Sequence, residues 1–354
     1  MSTILIDAHK EWVKRPLDER FKSLDEILEF TGRRKRNALE EIYALRDLRL
    51  HATHGGGMFL NGHVPHSALT NWSFSQLCQQ VRAPAGYLRT LSADMAVQCL
   101  EYGMAKAGGE AKLLIRKDDS PESDESSFSN AVSAFTSTTY GRIWDYDVIS
   151  ELLEAVRDTN WHPPDSKAGS AGLYASDRDM FVFLINDEHP VEVGNARLGK
   201  GFFLWNSETG SATFGLTIFL YNFICGNHIV WGAEEVQELK IVHRNRALSR
   251  FYRDAIPVLN TFVENRNLDD RIRDSVTQAM NDRLGATLEE VMYSNKQLPF
   301  TKNELTSAWN VGLAEGEDVT TRWGLTQGLT AFARTLPFAD KRVNLERRAG
   351  ALLN

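Results

Sequence analysis

Between Gly172 and Asn227, short apolar runs alternate with small clusters of turn residues. Leu173-Tyr174-Ala175 leads into Ser176-Asp177-Arg178-Asp179, and Met180-Phe181-Val182-Phe183-Leu184-Ile185 follows. Gly201-Phe202-Phe203-Leu204-Trp205 then runs into the polar cluster Asn206 to Ser211, and the apolar stretch Ala212 to Cys225 closes the series. Runs this short, rich in aromatic and β-branched residues and bounded by Asp, Asn, Ser and Gly, predict antiparallel strands in a meander. Beyond it, Leu248, Phe251, Ala255, Leu259 and Phe262 recur at helical spacing. Arg246, Arg250 and Arg253 fall on the opposite face of that helix at about 100° per residue. Pro257 should kink or divide it, because proline lacks the amide that continues the hydrogen-bond ladder. The expected fold class is α+β, an antiparallel meander with one face covered by the Arg246–Phe262 helix, preceded by an α-rich N-terminal region.

The N-terminal part reads mainly as helix. Ser23-Leu24-Asp25-Glu26 has the form of a capping box and opens a helix that should stop near Gly32. Leu39, Ile42, Tyr43, Leu45 and Leu48 predict a second amphipathic helix. Ser73-Phe74-Ser75-Gln76 resembles another capping box, and Ser92 can cap a helix with Met95, Ala96, Cys99, Leu100 and Met104 on one face. Ala111 to Arg116 is strand-like. Asp118 to Ser127 is acidic with no apolar residue, which predicts a mobile loop. Asp145 can cap a helix carrying Val148, Leu152 and Val156, and Thr321 heads a last helical region with Leu325, Leu329, Phe332 and Leu336 as its buried stripe. The organisation expected is a mainly helical region 1–117, an acidic loop 118–130, and an α+β core 131–354 holding the meander 172–225 and C-terminal helices.

Composition narrows the class rather than the function. Hydrophobic residues make up 42% and charged residues 25% of 354, ordinary for a soluble globular chain. No apolar run reaches the roughly 18 residues of a membrane span, and Met1 to Asp7 lacks the pattern of a signal peptide. Cys78, Cys99 and Cys225 are odd in number and widely spaced, which points to free thiols in a reducing cytoplasm. A net charge of -7 argues against coating nucleic acid with the whole surface, but leaves room for a local basic patch.

Candidate chemistry is sparse. Arg33-Arg34-Lys35-Arg36 precedes the second expected helix, where cations oppose the helix dipole, so they should face solvent or an anion. His51, His54, His63 and His66 form two H-x-x-H pairs around a glycine-rich bend that could hold zinc through four imidazoles. Structural zinc signatures usually include thiolates, and no metal or cofactor is assigned. P-loop, zinc-protease and nucleophile-elbow motifs are absent. Cys225 lies near His228 in sequence, but at the end of a buried strand it reads as core. Nothing in the chain compels an enzyme.

Several segments resemble a known family. Asn206-Ser207-Glu208-Thr209-Gly210-Ser211, Cys225-Gly226-Asn227 and Val242-His243-Arg244 are similar to the signature of the phage/plasmid-like protein family, carried by mobile elements and of unknown function. Ser133-Ala134-Phe135 through Tyr140 resembles its opening segment, and Thr321-Arg322-Trp323-Gly324-Leu325 through Phe332 its C-terminal one. His228 follows Asn227 where the family usually has glycine. A meander followed by a long helix is also loosely similar to Rad52-type single-strand annealing proteins. The resemblance implies a mobile-element setting and transfers no catalytic residue.

The function expected from this reading is binding of single-stranded DNA, as an annealing or recombination factor. Lys240, His243, Arg244, Arg246, Arg250 and Arg253 are the densest basic segment, Arg33 to Arg36 a second one, and Trp205 and Tyr221 offer faces on which bases could stack. The alternative is a non-enzymatic phage or plasmid protein that binds a host protein such as a defence component, which the acidic loop and negative charge favour. A cytoplasmic location without a membrane partner, and a homo-oligomer, complete the expectation.

Overall fold

The computed structural model describes residues 19–53, 55–62, 64–117, 130–163, 172–194, 196–222, 228–229, 239–264, 267–294, 296, 298–336, 345 and 348–353. The acidic loop, His54, His63 and Cys225 lie outside this set. Two sheets and their helices make an α+β fold.

The meander is the larger sheet. Its strands are β1 (Arg20–Phe21), β8 (Leu173–Ala175), β9 (Met180–Val193), β10 (Ala196–Asn206), β11 (Phe214–Asn222), β12 (His228–Ile229) and β13 (Leu239–Ile241). They run in the order β1-β8-β9-β10-β11-β12, with β13 also pairing β11, all antiparallel. Residues two apart share a face, so β9 and β10 sort their side chains in two. Val182, Leu184, Phe202 and Leu204 join an apolar core with helices, whereas Phe181, Phe183, Phe203 and Trp205 form an aromatic cluster with Tyr174 on the other face.

Three helical stretches cover the first face: α1 (Leu24–Arg36), α5 (Asp145–Val156), and the run following the sheet. That run is α6 (Ala247–Arg250), a wide π-type segment Phe251–Ala255, and α7 (Ile256–Glu264); α8 (Asn267–Asn281) comes next. Phe251 is 1% exposed and meets Phe214 edge-on at 5.1 Å. The wide turn answers the proline. Pro257 has no amide for the Arg253 carbonyl, and the Ile256 N–H reaches five residues back to Phe251 O instead.

The region expected to be mainly helical carries the second sheet. Its strands are β2 (Ala38–Ala44), β3 (Leu48–Ala52), β4 (Met58–Gly62), β5 (Ser67–Leu69), β6 (Glu110–Lys117) and β7 (Asn130–Thr136), in the order β2-β6-β7-β5-β4-β3. Only β5 and β7 pair in parallel. The segment Leu39–Leu48 is thus strand and a short 3-10 turn, not an amphipathic helix. Its apolar spacing misleads because β2 is an edge strand: Leu39 and Ile42 stay exposed, while Glu40 turns inward to Lys112 and Arg142. Since β6 and β7 are neighbours across residues 118–129, that interval does not separate two folding units. Helices α2 (Asn71–Gln80), α3 (Ala85–Leu88) and α4 (Ala93–Ala107) close a separate core over this sheet, centred on Leu60, Leu77, Leu100 and Leu113.

Caps follow the side chains that are free to serve. Ser23 and Ser92 cap as expected, and Thr321 caps the last helical region. Thr70, not Ser73, caps α2: the helix begins at Asn71, so Ser73 lies in its first turn and its amide donates to Thr70 Oγ1 at 3.1 Å. Asp145 lies in the first turn of α5 rather than at its cap. A fourth cluster packs α9 (Leu288–Ser294), α10 (Lys302–Ala314) and α11 (Arg322–Thr335), with Leu325 and Leu329 fully buried.

Candidate functional site

The two sheets meet at a polar seam, and its centre is the loop after β10. Asn206, Ser207, Glu208 and Thr209 are each at most 2% exposed. Asn206 donates to Ile143 O (2.9 Å) and Asp145 Oδ1 (2.7 Å). Glu208 Oε1 accepts the Asp145 amide at 2.7 Å and so caps α5, while Oε2 pairs with Arg116 of β6. Ser207, Thr209 and Ser211 hydroxyls all donate to the Arg178 carbonyl. Thr209 O accepts from Trp72 Nε1 (3.1 Å) and Gln76 Nε2 (2.7 Å), while Gln76 Oε1 takes the Phe135 amide. Five of the residues 206–211 therefore tie α5, β6, α2 and the β8–β9 turn together. A charge this deep is tolerated only when it is paired, as Glu208 is with Arg116.

The electrostatics follow from burial. Burial, with Arg34 nearby, lowers Arg116 to about 10, so it stays cationic at neutral pH. Burial and the Glu208 carboxylate push Asp145 well above the usual carboxylate range. Arg142, 6% exposed, pairs with Glu40 and lies over the rings of Tyr140 (5.2 Å) and Trp144 (5.6 Å). Arg116 Nε and Nη1 and both Arg142 Nη atoms find no acceptor among the described residues.

Above this seam lies an open cleft of about 770 Å³, within the range of ligand sites. Its walls come from α2 (Trp72), the segment after β7 (Ser137, Tyr140), the β8–β9 turn (Arg178), the end of β10 (Trp205) and the segment after β13 (Val242 to Arg244). Two glycines permit this closeness. A Cβ at Gly141 would strike the Asn245 carbonyl, so Gly141 lets residues 243–245 lie against Tyr140. A Cβ at Gly215 would overlap the Trp205 indole. A smaller polar cavity of about 360 Å³, lined by Gln76, Gln79 and Gln80, shares Ser137, Tyr140 and Gly210 with the cleft and extends it.

The expected site residues divide. Arg244 is exposed at the cleft rim and Lys240 is exposed on β13. His243 walls the cleft but is not a surface cation: it is 5% exposed, stacks on Tyr140 at 5.1 Å, and its Nδ1 lies 3.2 Å from Gly141 O. Burial lowers it to about 4, so it is neutral at physiological pH. Trp205 is 3% exposed within the aromatic cluster and offers no open face. Arg246 is exposed, whereas Arg253 makes a two-point bond to Asp254 (2.6 and 2.9 Å) that Arg250 flanks at 4.0 Å. The π-type segment also turns Arg253 away from the position an unbroken helix would give it.

Arg33 to Arg36 occupy the last turn of α1, not the start of a helix, so the dipole favours them. Arg34 binds Ser176 O and Lys35 pairs with Asp147 at 2.5 Å, leaving Arg33 and Arg36 exposed. His51 and His66 pack on the Phe59 ring at 5.2 and 4.4 Å. Among the described residues no group of three or more His, Cys, Asp or Glu could hold a metal. Sequence reading missed Arg116, Arg142, Trp72 and Arg178. The available signal was the strongly polar cluster 206–211 between two apolar runs.

Fold and site together define an α+β protein whose two sheets are joined by a buried charged seam beneath an aromatic, arginine-rimmed cleft. The chain belongs to the family described as a domain of unknown function (DUF932), whose model matches residues 134–343. That span contains most of the seam and four of the five cleft walls, but not Trp72 or Arg116. No curated protein and no solved structure matches the chain. Among the described residues, no helix is long and apolar enough to cross a membrane.

Proposed function

We propose that this protein binds single-stranded DNA along the cleft between its sheets. The observation that carries the reading is the pairing of ring faces with rim cations: the exposed Arg178 lies over the Trp72 ring at 5.7 Å, and Arg244 stands on the other rim. Single strands are held by backbone-tracking cations beside aromatic platforms, which duplex DNA cannot use. The resemblance of Asn206–Ser211 and Val242–Arg244 to the phage/plasmid-like family supports a mobile-element setting, and annealing or recombination as the process. The same residues cluster at this cleft.

Fluorescence anisotropy with a labelled oligonucleotide at graded salt tests it. Wild type should bind, with log affinity falling as salt rises. Arg178→Glu with Arg244→Glu should weaken binding at least tenfold, and Arg244→Ala should flatten the salt slope by about 0.7. Arg253→Ala should leave the slope unchanged, because Asp254 already holds that guanidinium. Wild-type protein that ignores oligonucleotides at low salt overturns the proposal.

One observation favours the second reading, a protein partner. On α4 the apolar positions split: Ala96, Leu100 and Met104 enter the core, while Met95 (54% exposed), Cys99 and Tyr102 (70%) form an outward stripe. A host-protein partner would be sought there if DNA binding fails.

A further inference from the structure

We infer that the cleft reads the edge of a nucleobase, so that binding selects sequence instead of tracking any strand alike; this rests on the single-strand reading above. Two deeply buried walls of the cleft carry unpaired polar atoms. Trp205 Nε1 and His243 Nε2 have no hydrogen-bond partner among the described residues, although their side chains are 3% and 5% exposed. Both residues line the cleft. An orphaned buried donor or acceptor costs free energy unless a partner arrives, so two of them at one ligand-sized cleft mark a recognition surface.

The chemistry of each atom is settled. Trp205 Nε1 can only donate. His243 Nδ1 faces the Gly141 carbonyl at 3.2 Å and therefore carries the proton, which leaves Nε2 of the neutral ring as an acceptor. The ligand must then be planar enough to enter beside the Tyr140–His243 stack and must offer one N–H and one acceptor on its rim. It must also carry an anion for Arg178 or Arg244. A nucleotide meets all three conditions: each base has an edge with a donor and an acceptor, differently placed from base to base, and every nucleotide has a phosphate. A strand held by stacking alone would leave both atoms unpaired and would show little preference among bases.

Anisotropy with dT, dC and dA homopolymers of equal length, beside calorimetry with dTMP, dCMP and dAMP, tests the inference. At least one homopolymer should bind about five- to tenfold more tightly than another, the scale of a hydrogen bond made or left unmade at a buried group. In Trp205→Phe and His243→Phe the ratio should fall towards one, in protein whose circular dichroism matches wild type. Homopolymers that bind within twofold of each other overturn the base-reading inference and leave strand binding intact. Mononucleotides that bind selectively while oligonucleotides do not would preserve the base pocket and remove the single-strand reading. Absence of binding by both overturns both.

Discussion

The apolar core beneath the large sheet and the polar seam between the two sheets are stabilised in opposite ways. Under the sheet, Val182, Leu184, Phe202 and Leu204 meet Phe251, Ala255 and Leu259. Such burial is non-directional, roughly proportional to area, and indifferent to which neighbour supplies the contact. At the seam, Glu208, Arg116, Asp145 and Asn206 are equally buried, but each depends on one named atom of another segment. Volume holds the first region together, and geometry the second. A core tolerates an approximate fit, whereas a half-satisfied polar network is worse than none.

Replacement at the seam should therefore do the most damage. Glu208→Ala strands the Arg116 cation and removes the cap of α5, for a loss of about 4–6 kcal/mol in urea unfolding. The near-isosteric Glu208→Gln should still cost several kcal/mol, while the volume-conserving Leu204→Met in the core should cost less than about 1.5 kcal/mol. Equal costs for Glu208→Gln and Leu204→Met would erase the distinction. Deleting a core ring comes next: Phe251→Ala should cost about 3–5 kcal/mol, since its side chain is 1% exposed and edge-on to Phe214. A wild-type melting temperature in that variant would refute the packing.

The pH dependence is the most diagnostic, because only the polar side has a titrating group, His243 in the cleft wall, to show it. His243 sits at about 4 when folded and near 6.5 when unfolded. Below pH 6.5 the unfolded chain takes up a proton that the folded chain refuses. His243 thus costs nothing above that pH and destabilises progressively down to about pH 4, where the loss levels near 3 kcal/mol. His243→Phe should flatten this acid limb relative to wild type. Identical pH profiles would mean the imidazole is not held neutral.

How much of this was legible follows from the same contrast. The meander, its covering helix, the stripe Leu325–Leu329 and two helix caps could be read from the chain, because they rest on local periodicity and on side chains bonding their own backbone. The second sheet could not. β2 at an edge fully buries no apolar residue, Tyr43 packing on the core only in part, and its inward residue, Glu40, is charged. The basic segment was visible as composition but not as a surface. Asp254 binds Arg253, Lys35 pairs with Asp147, and burial neutralises His243.

The sequence by itself determined which residues could form strands and helices, and that one polar cluster interrupts the apolar runs. Only the tertiary structure decided that this cluster joins two sheets, that Trp72 and Arg178 meet across 106 residues of chain (178 minus 72) to flank a cleft, and which cations remain in water. The physical reason is range. Hydrophobic period and capping act over four or five residues, whereas a buried ion pair or a cleft wall is a contact between distant segments, set once the chain has closed upon itself.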